Sequence, residues 1–302
     1  MKKRILALGL TVVLAAASLA ACGGASTKTT EKKAEAGTEQ GSEKATEAAK
    51  EEKADSGELR TYKLGVNGSD HEEWEKANEL LQKDNIKLEM VEFSDYVKPN
   101  EALEDGEIDL NAFQTEIYFN NFVKERGYTD LGILAYTQVA PMGIYSSKYK
   151  SLDEATGHLI IAIPNDVTNG GRALKFLEKN GFLTLKKEAG LTPTVMDIEK
   201  YNKDVEIVEM VATQIPASLP DLSFACINNG VAKDAGLTLK NDAIVYEDYK
   251  EPDMKNYWNI IAAKKDRIES EDFQKIKKAY NSDEVKQVVL EHYDGQSIPV
   301  WD

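Results

Sequence analysis

The stretch His158-Leu-Ile-Ile-Ala-Ile-Pro164, followed at once by Asn165-Asp-Val-Thr-Asn-Gly-Gly-Arg172, decides the reading of the chain. Its apolar middle has no polar alternation, which describes a strand buried on both faces. A turn and a helix from Asn169 to Asn180, ending at Gly181, come next, so the segment reads as one strand-helix unit of a parallel sheet. Similar units extend outward in both directions. Before it, Tyr62 to Val66, Lys87 to Phe93 and Ile108 to Phe113 read as strands, with helices marked by Trp74, Ala77 and Leu81 and by Phe119, Phe122 and Val123. After it, Val205 to Val211, Asp221 to Ile227 and Tyr257 to Ala263 read as strands, and Phe273, Ile276, Tyr280, Val285, Val288 and Val289 mark two closing helices. These last pieces have no sheet of their own, so they are expected to return to the first lobe. Residues 130–147, broken by Pro141 and Gly143, suit a chain leaving one lobe for another. The expected architecture is α/β with two lobes, 61–139 plus 247–302 and 140–246, joined by crossings near 137–147 and 242–250. Such a pair can hinge, with its ligand cleft at the carboxyl ends of the strands.

The first sixty residues carry an address instead of a core. Lys2-Lys3-Arg4, a small apolar run and Leu19-Ala20-Ala21-Cys22 read as a secretory signal, residues 1–21. Residues 23–60 hold no aromatic residue and one large aliphatic, Leu59, among nine acidic and seven basic side chains. A segment so poor in apolar surface cannot offset its ordering entropy, and reads as a flexible tether. The chain has 37 basic and 52 acidic residues; losing the signal leaves 34 against 52, a net −18, which argues against a nucleic-acid partner. Two cysteines, Cys22 and Cys226, make neither a disulfide framework nor a zinc cluster, and His71, His158 and His292 form no metal-binding or triad pattern. With no Gly-x-Ser-x-Gly elbow either, binding is favoured over catalysis, and no cofactor or metal is expected.

Three motifs lie at predicted strand ends. In Asn111-Ala-Phe113-Gln114-Thr115 an aromatic meets two amides, although a helix N-cap with Phe113 in the core fits equally well. In Pro164 to Arg172, helix-start amides attract anions, Gly170 and Gly171 let a ligand approach, and Arg172 offers a bidentate fork; a surface turn with a solvated arginine is the plainer reading. Cys226-Ile-Asn228-Asn229-Gly230 ends an apolar strand in amides, or is simply a turn. Together they suit a zwitterion, with Arg172 and helix-start amides on its carboxylate, amide oxygens and a carboxylate such as Asp166 on its ammonium, and Tyr96 and Phe113 walling an apolar side chain.

At these residues the chain resembles the methionine-binding lipoproteins of the MetQ/NlpA type, substrate-binding components of ABC importers. The resemblance runs from about Tyr62 to Trp301, through Phe93 to Leu103, Asp109 to Gln114, Ile163 to Arg172, Leu191 to Val195 and Ile227-Asn228. It implies two α/β lobes of the periplasmic-binding-protein type (type II-like), a double crossover hinge, and a monomer that binds an amino acid and docks on a membrane permease. The Leu-Ala-Ala-Cys22 ending resembles a lipobox, which implies lipidation of Cys22 and a lipid anchor on the extracytoplasmic face of the cell membrane. By the same resemblance Arg172 would hold the ligand carboxylate, Asn228 and Asn169 its amino-acid head, and Tyr96, Phe113 and Gln114 would wall the side chain; Asn165 and Thr115 are expected among the ligand-binding residues as well. Thr115 stands where such proteins commonly have His, Ala140 where they have Tyr, and Asn229-Gly230-Val231 where a Thr-Thr-Tyr run is usual. All three changes trim bulk near the expected pocket. The ligand is therefore expected to be methionine, L-methionine first, or a related amino acid, with a short methionine-containing dipeptide, another amino acid or a surface interaction role as alternatives.

Overall fold

The computed structural model describes residues 57–301, so the signal segment, Cys22 and most of the tether lie outside the described residues. The first strand, Arg60–Asn67, alternates at its start and then buries Leu64, Gly65 and Val66 in succession as it enters the sheet. It pairs in parallel with Ile86–Phe93 on one side and Leu110–Asn111 on the other. Outward from Leu110–Asn111 follow Trp258–Lys264, Leu131–Val139 and Ile298–Pro299, each antiparallel to the strand before it. This six-stranded sheet thus takes strands from both ends of the described chain. Helix Glu72–Leu81 places Trp74, Ala77 and Leu81 on one of its faces, where they meet Phe273, Ile276 and Tyr280 and then Val285 and Val289. Leu103, Ile108, Phe119 and Ile260 form a second cluster. Each fully buried Leu, Ile or Phe contributes about 1.5–3 kcal/mol, so these clusters carry the sheet.

A second sheet has five strands in the order Ala243–Tyr246, Gly143–Tyr145, Phe224–Ile227, Leu159–Pro164, Val205–Met210. Leu159–Pro164 is parallel to both of its neighbours, and Gly143–Tyr145 is antiparallel to both of its own. Every residue of Phe224–Ile227 is buried, which is why its sequence shows no alternation. Cys226 lies within that strand with no exposed surface, and burial pushes its thiol far above the usual range, so it is an inert core residue.

The chain passes between the sheets at 139–143 and again after Tyr246. The two strands that arrive directly from the other sheet, Gly143–Tyr145 and Trp258–Lys264, lie inside their new sheets and run antiparallel to both neighbours. A purely parallel reading therefore describes only the three strands at one side of each sheet. A small hairpin of Leu183–Leu185 with Ile198–Tyr201 has no counterpart in the sequence reading, its strands being three and four residues long. No described helix is long and apolar enough to cross a membrane.

Candidate functional site

The carboxyl ends of strands from both sheets open on a cavity of about 620 Å³. Arg172, Asn228, Asn169, Tyr96, Phe113, Gln114 and Thr115 all line it, whereas Asn165 is exposed outside it. The helix Val167–Lys179 begins two residues before the expected Asn169, because Asp166 is its N-cap. An Asp166 carboxylate oxygen accepts from the Asn169 backbone N–H at 2.8 Å, so the helix start already holds an anion supplied by the chain.

Arg172 projects from that helix and is 3 % exposed. Its Nε donates to both carboxylate oxygens of Glu247 at 3.0 Å, and its Nη2 donates to Glu247 Oε2 at 2.5 Å and to the Ala140 carbonyl at 2.9 Å. The guanidinium lies 4.3 Å over the Tyr257 ring. Glu247 also accepts from the Met142 N–H at 2.7 Å. One face of the arginine fork is thus occupied by an internal carboxylate, and among the described residues Nη1 has no partner. The sequence reading missed Glu247: an acid in a stretch rich in acids carries no signal of being buried.

Gly170 and Gly171 do not line the cavity. A Cβ at Gly170 would sit 2.7 Å from the Pro164 carbonyl, and one at Gly171 2.9 Å from Thr192 Cα. Their lack of side chains admits neighbouring backbone, not a ligand as the sequence reading expected.

Also lining the cavity, the Tyr96 and Phe113 ring centroids are 6.0 Å apart, and each lies about as far from Tyr118, at 6.1 and 6.2 Å. The Tyr118 hydroxyl donates to the Tyr96 carbonyl at 2.9 Å. Burial, with the Asp166 carboxylate next, pushes both phenols far above their ordinary range and keeps them neutral. The Gln114 amide is engaged behind this wall, donating to Asn100 Oδ1 and Asn111 Oδ1 at 2.7 and 2.8 Å and accepting from Asn100 Nδ2. It braces the loop. Thr115 caps the helix Glu116–Arg126, accepting from the Tyr118 N–H at 3.3 Å, while still lining the cavity. Ala140, Asn229, Gly230 and Val231 line it too, so the residues that set this chain apart from the pattern it resembles face the same space.

The first sheet and the helices packed on it add residues that no motif flagged, among them Gln138 from the sheet and Glu73, Trp74 and Tyr293 from the helices and their ends. Glu73 is 5 % exposed and accepts from the Tyr293 hydroxyl at 3.1 Å; burial holds its carboxyl above the usual range, against its own backbone N–H and Tyr293. At the rim, Asp70, Glu72 and His292 are close enough to share a cation, and the chain supplies one: Lys233 Nζ stands 2.9 Å from Asp70 and 2.7 Å from His292.

Two lobes joined by a double crossover, with a polar and aromatic cavity at their strand ends, define a periplasmic-type substrate-binding protein. Residues 62–301 match the NlpA lipoprotein family, and the chain belongs to it. It is 40 % identical over 243 residues to the D-methionine-binding lipoprotein MetQ of Escherichia coli K12, an alignment covering 79 % of this chain and 88 % of that one. A nutrient-binding protein from Burkholderia cenocepacia, solved bound to methionine, is 35 % identical with a TM-score of 0.75, covering 80 % of this chain and 100 % of that one. The substrate-binding protein of a methionine transporter from Streptococcus pneumoniae is 38 % identical with a TM-score of 0.75, covering 80 % and 96 %.

Proposed function

We propose that this chain is the lipid-anchored, extracytoplasmic binding component of an ABC importer, and that it takes a free amino acid, L-methionine or a close relative, into the cleft between lobes 61–139 plus 247–302 and 140–246. The observation that carries this reading is the pairing, in one cavity, of the Arg172, Asn169 and Asn228 side chains with the Tyr96, Phe113 and Tyr118 rings. The polar group suits a zwitterionic head, with the ligand carboxylate meeting the free edge of Arg172. The rings suit a thioether, whose sulfur gains about 0.3–1.5 kcal/mol against an aromatic edge. A ligand gripped from both lobes makes its full set of contacts only when they close, which is the differential affinity that drives closure. The closed monomer then docks on the permease. Cys22 carries the acyl anchor and the acidic tether gives it reach.

A short methionine-containing dipeptide is a second reading, favoured by the small Thr115, Ala140 and Val231 side chains on the cavity wall. Mass spectrometry of ligand released from the denatured protein, with calorimetry against both methionine enantiomers, other amino acids and dipeptides, tests the two. Saturable one-to-one binding of methionine supports the first reading. Preference for a dipeptide supports the second, and loss of any small-molecule binding would leave only a surface interaction role.

A further inference from the structure

We propose that Asp166 is a positioning residue: acting through Asn169, it sets the sense of the Asn228 amide so that Asn228 Oδ1 faces the cavity as an acceptor for the ligand's ammonium group. The inference rests on the amino-acid reading above and deepens it.

A carboxylate can only accept hydrogen bonds, whereas an amide can present either end. Asp166 Oδ1 accepts from Thr168 Oγ1 at 2.8 Å and from the Asn169 backbone N–H, and the two carboxylate oxygens accept from Asn169 Nδ2 at 3.1 and 3.0 Å. The NH₂ of Asn169 is therefore committed to Asp166, and its Oδ1 turns the other way. That oxygen accepts from Asn228 Nδ2 at 2.8 Å. With one N–H used in turn and the sense of the amide thereby fixed, Asn228 Oδ1 is left as a buried atom with no partner on a residue of the cavity wall. Reversing Asn228 would set two oxygens against each other, and reversing Asn169 would do the same against Asp166. The negative charge at one end thus dictates an acceptor at the other.

Two other amide side chains of the cavity also leave an oxygen without a partner. Asn67 Nδ2 donates to the carbonyls of Phe93 and Asp95 at 3.1 and 2.9 Å, leaving its Oδ1 buried and unpartnered, and Gln138 Oε1 is also unpartnered. Among the described residues, every buried side-chain atom without a partner on this wall is a carbonyl oxygen. A ligand that engages these three oxygens must bring donors to them, which favours an amine-bearing solute over the same solute without its amine.

The test compares L-methionine with 4-(methylthio)butanoate, which has the same carboxylate and thioether but no ammonium, on wild type and Asp166→Ser. Serine keeps an N-cap acceptor and removes the carboxylate that orients Asn169. The expected result is a loss of about tenfold or more for L-methionine in D166S, the scale of one hydrogen bond to a charged group, with 4-(methylthio)butanoate affinity unchanged. Asp166→Asn, nearly isosteric, is expected to show a smaller loss confined to L-methionine, and covers failure of D166S to fold. The Asn228 side-chain NH₂ resonances of the ligand-free protein are read by NMR in parallel, with a change in shift and exchange expected in both variants. Equal losses for the two compounds, unchanged L-methionine affinity, or unchanged Asn228 resonances would overturn the relay. If the wild type binds neither compound, the methionine reading fails, and the relay is judged on the resonances.

Discussion

Arg172 and Glu247 form a buried pair, and in the proposed function its balance decides what a ligand carboxylate meets. Burying both charges is costly, and the pair is tolerable because Glu247 takes the arginine side-on and the Met142 N–H as well. Arg172→Ala would therefore strand Glu247 as well as remove the proposed ligand contact. Glu247→Gln separates the two effects. Its amide oxygen can still receive the Met142 N–H, but the arginine becomes an uncompensated buried charge, with a loss of about 3–5 kcal/mol expected in urea denaturation. Because a ligand carboxylate then supplies the missing charge, methionine should raise the melting temperature of E247Q more than that of wild type. An E247Q protein as stable as wild type would contradict this account. Glu73 gives a pH-dependent counterpart. Burial raises its folded pKa above the unfolded value, so the folded state binds the proton more tightly and wild-type stability is lost as pH rises through that window. Glu73→Gln should leave stability unchanged below about pH 4, where the unfolded carboxyl is protonated, and should stabilise at neutral pH. Denaturation at both pH values checks the sign.

The strand Leu159–Pro164 and the helix Val167–Lys179 show how far an element can be read from its residues. An unbroken Leu-Ile-Ile-Ala-Ile run has one comfortable environment, and the turn and helix after it follow from Asp166 and the apolar spacing beyond. The purpose of Gly170 and Gly171 was not legible, because what approaches them is distant in sequence or fixed only by the turn. Alanine normally improves a helix over glycine by about 1 kcal/mol. Here Gly171→Ala should destabilise, since the obstructing Thr192 and Pro193 atoms are backbone and cannot swing aside; a rise in melting temperature would refute the close approach. At Thr115 the helix-cap reading and the cavity reading were both open, and the hydroxyl caps while the residue lines the site. Thr115→Ala should cost about 1 kcal/mol in thermal unfolding. Motifs at strand ends could be found because residues at strand ends line one cavity. Glu247, Glu73 and the Asn100–Asn111–Gln114 amide cluster could not, since they matter through partners up to 220 residues away in the chain.

At the scale of the molecule, the site depends on two lobes that touch at a rim as well as at the crossings. Lys233, on the short helix after Phe224–Ile227, reaches Asp70 and His292 beside the first sheet and lies 3.9 Å over the Tyr293 ring. Burial alone would raise the Asp70 carboxyl, but Lys233 and His292 outweigh it and hold the group below its ordinary value. The Asp70 contribution is therefore complete above the unfolded carboxylate range and is lost as pH falls through the lowered folded value. These groups are partly exposed, so the contact contributes no more than about 1 kcal/mol, enough to bias an opening equilibrium without locking it. Lys233→Met should enlarge the unliganded protein in small-angle scattering and leave the liganded form unchanged; identical unliganded profiles would exclude the latch. The most direct test of the central claim is titration calorimetry of the ligand-free protein with L-methionine. The account predicts one saturable site whose affinity falls when Tyr96 or Phe113 is replaced by alanine, and the absence of any heat or thermal shift with methionine, its relatives and its dipeptides would contradict it.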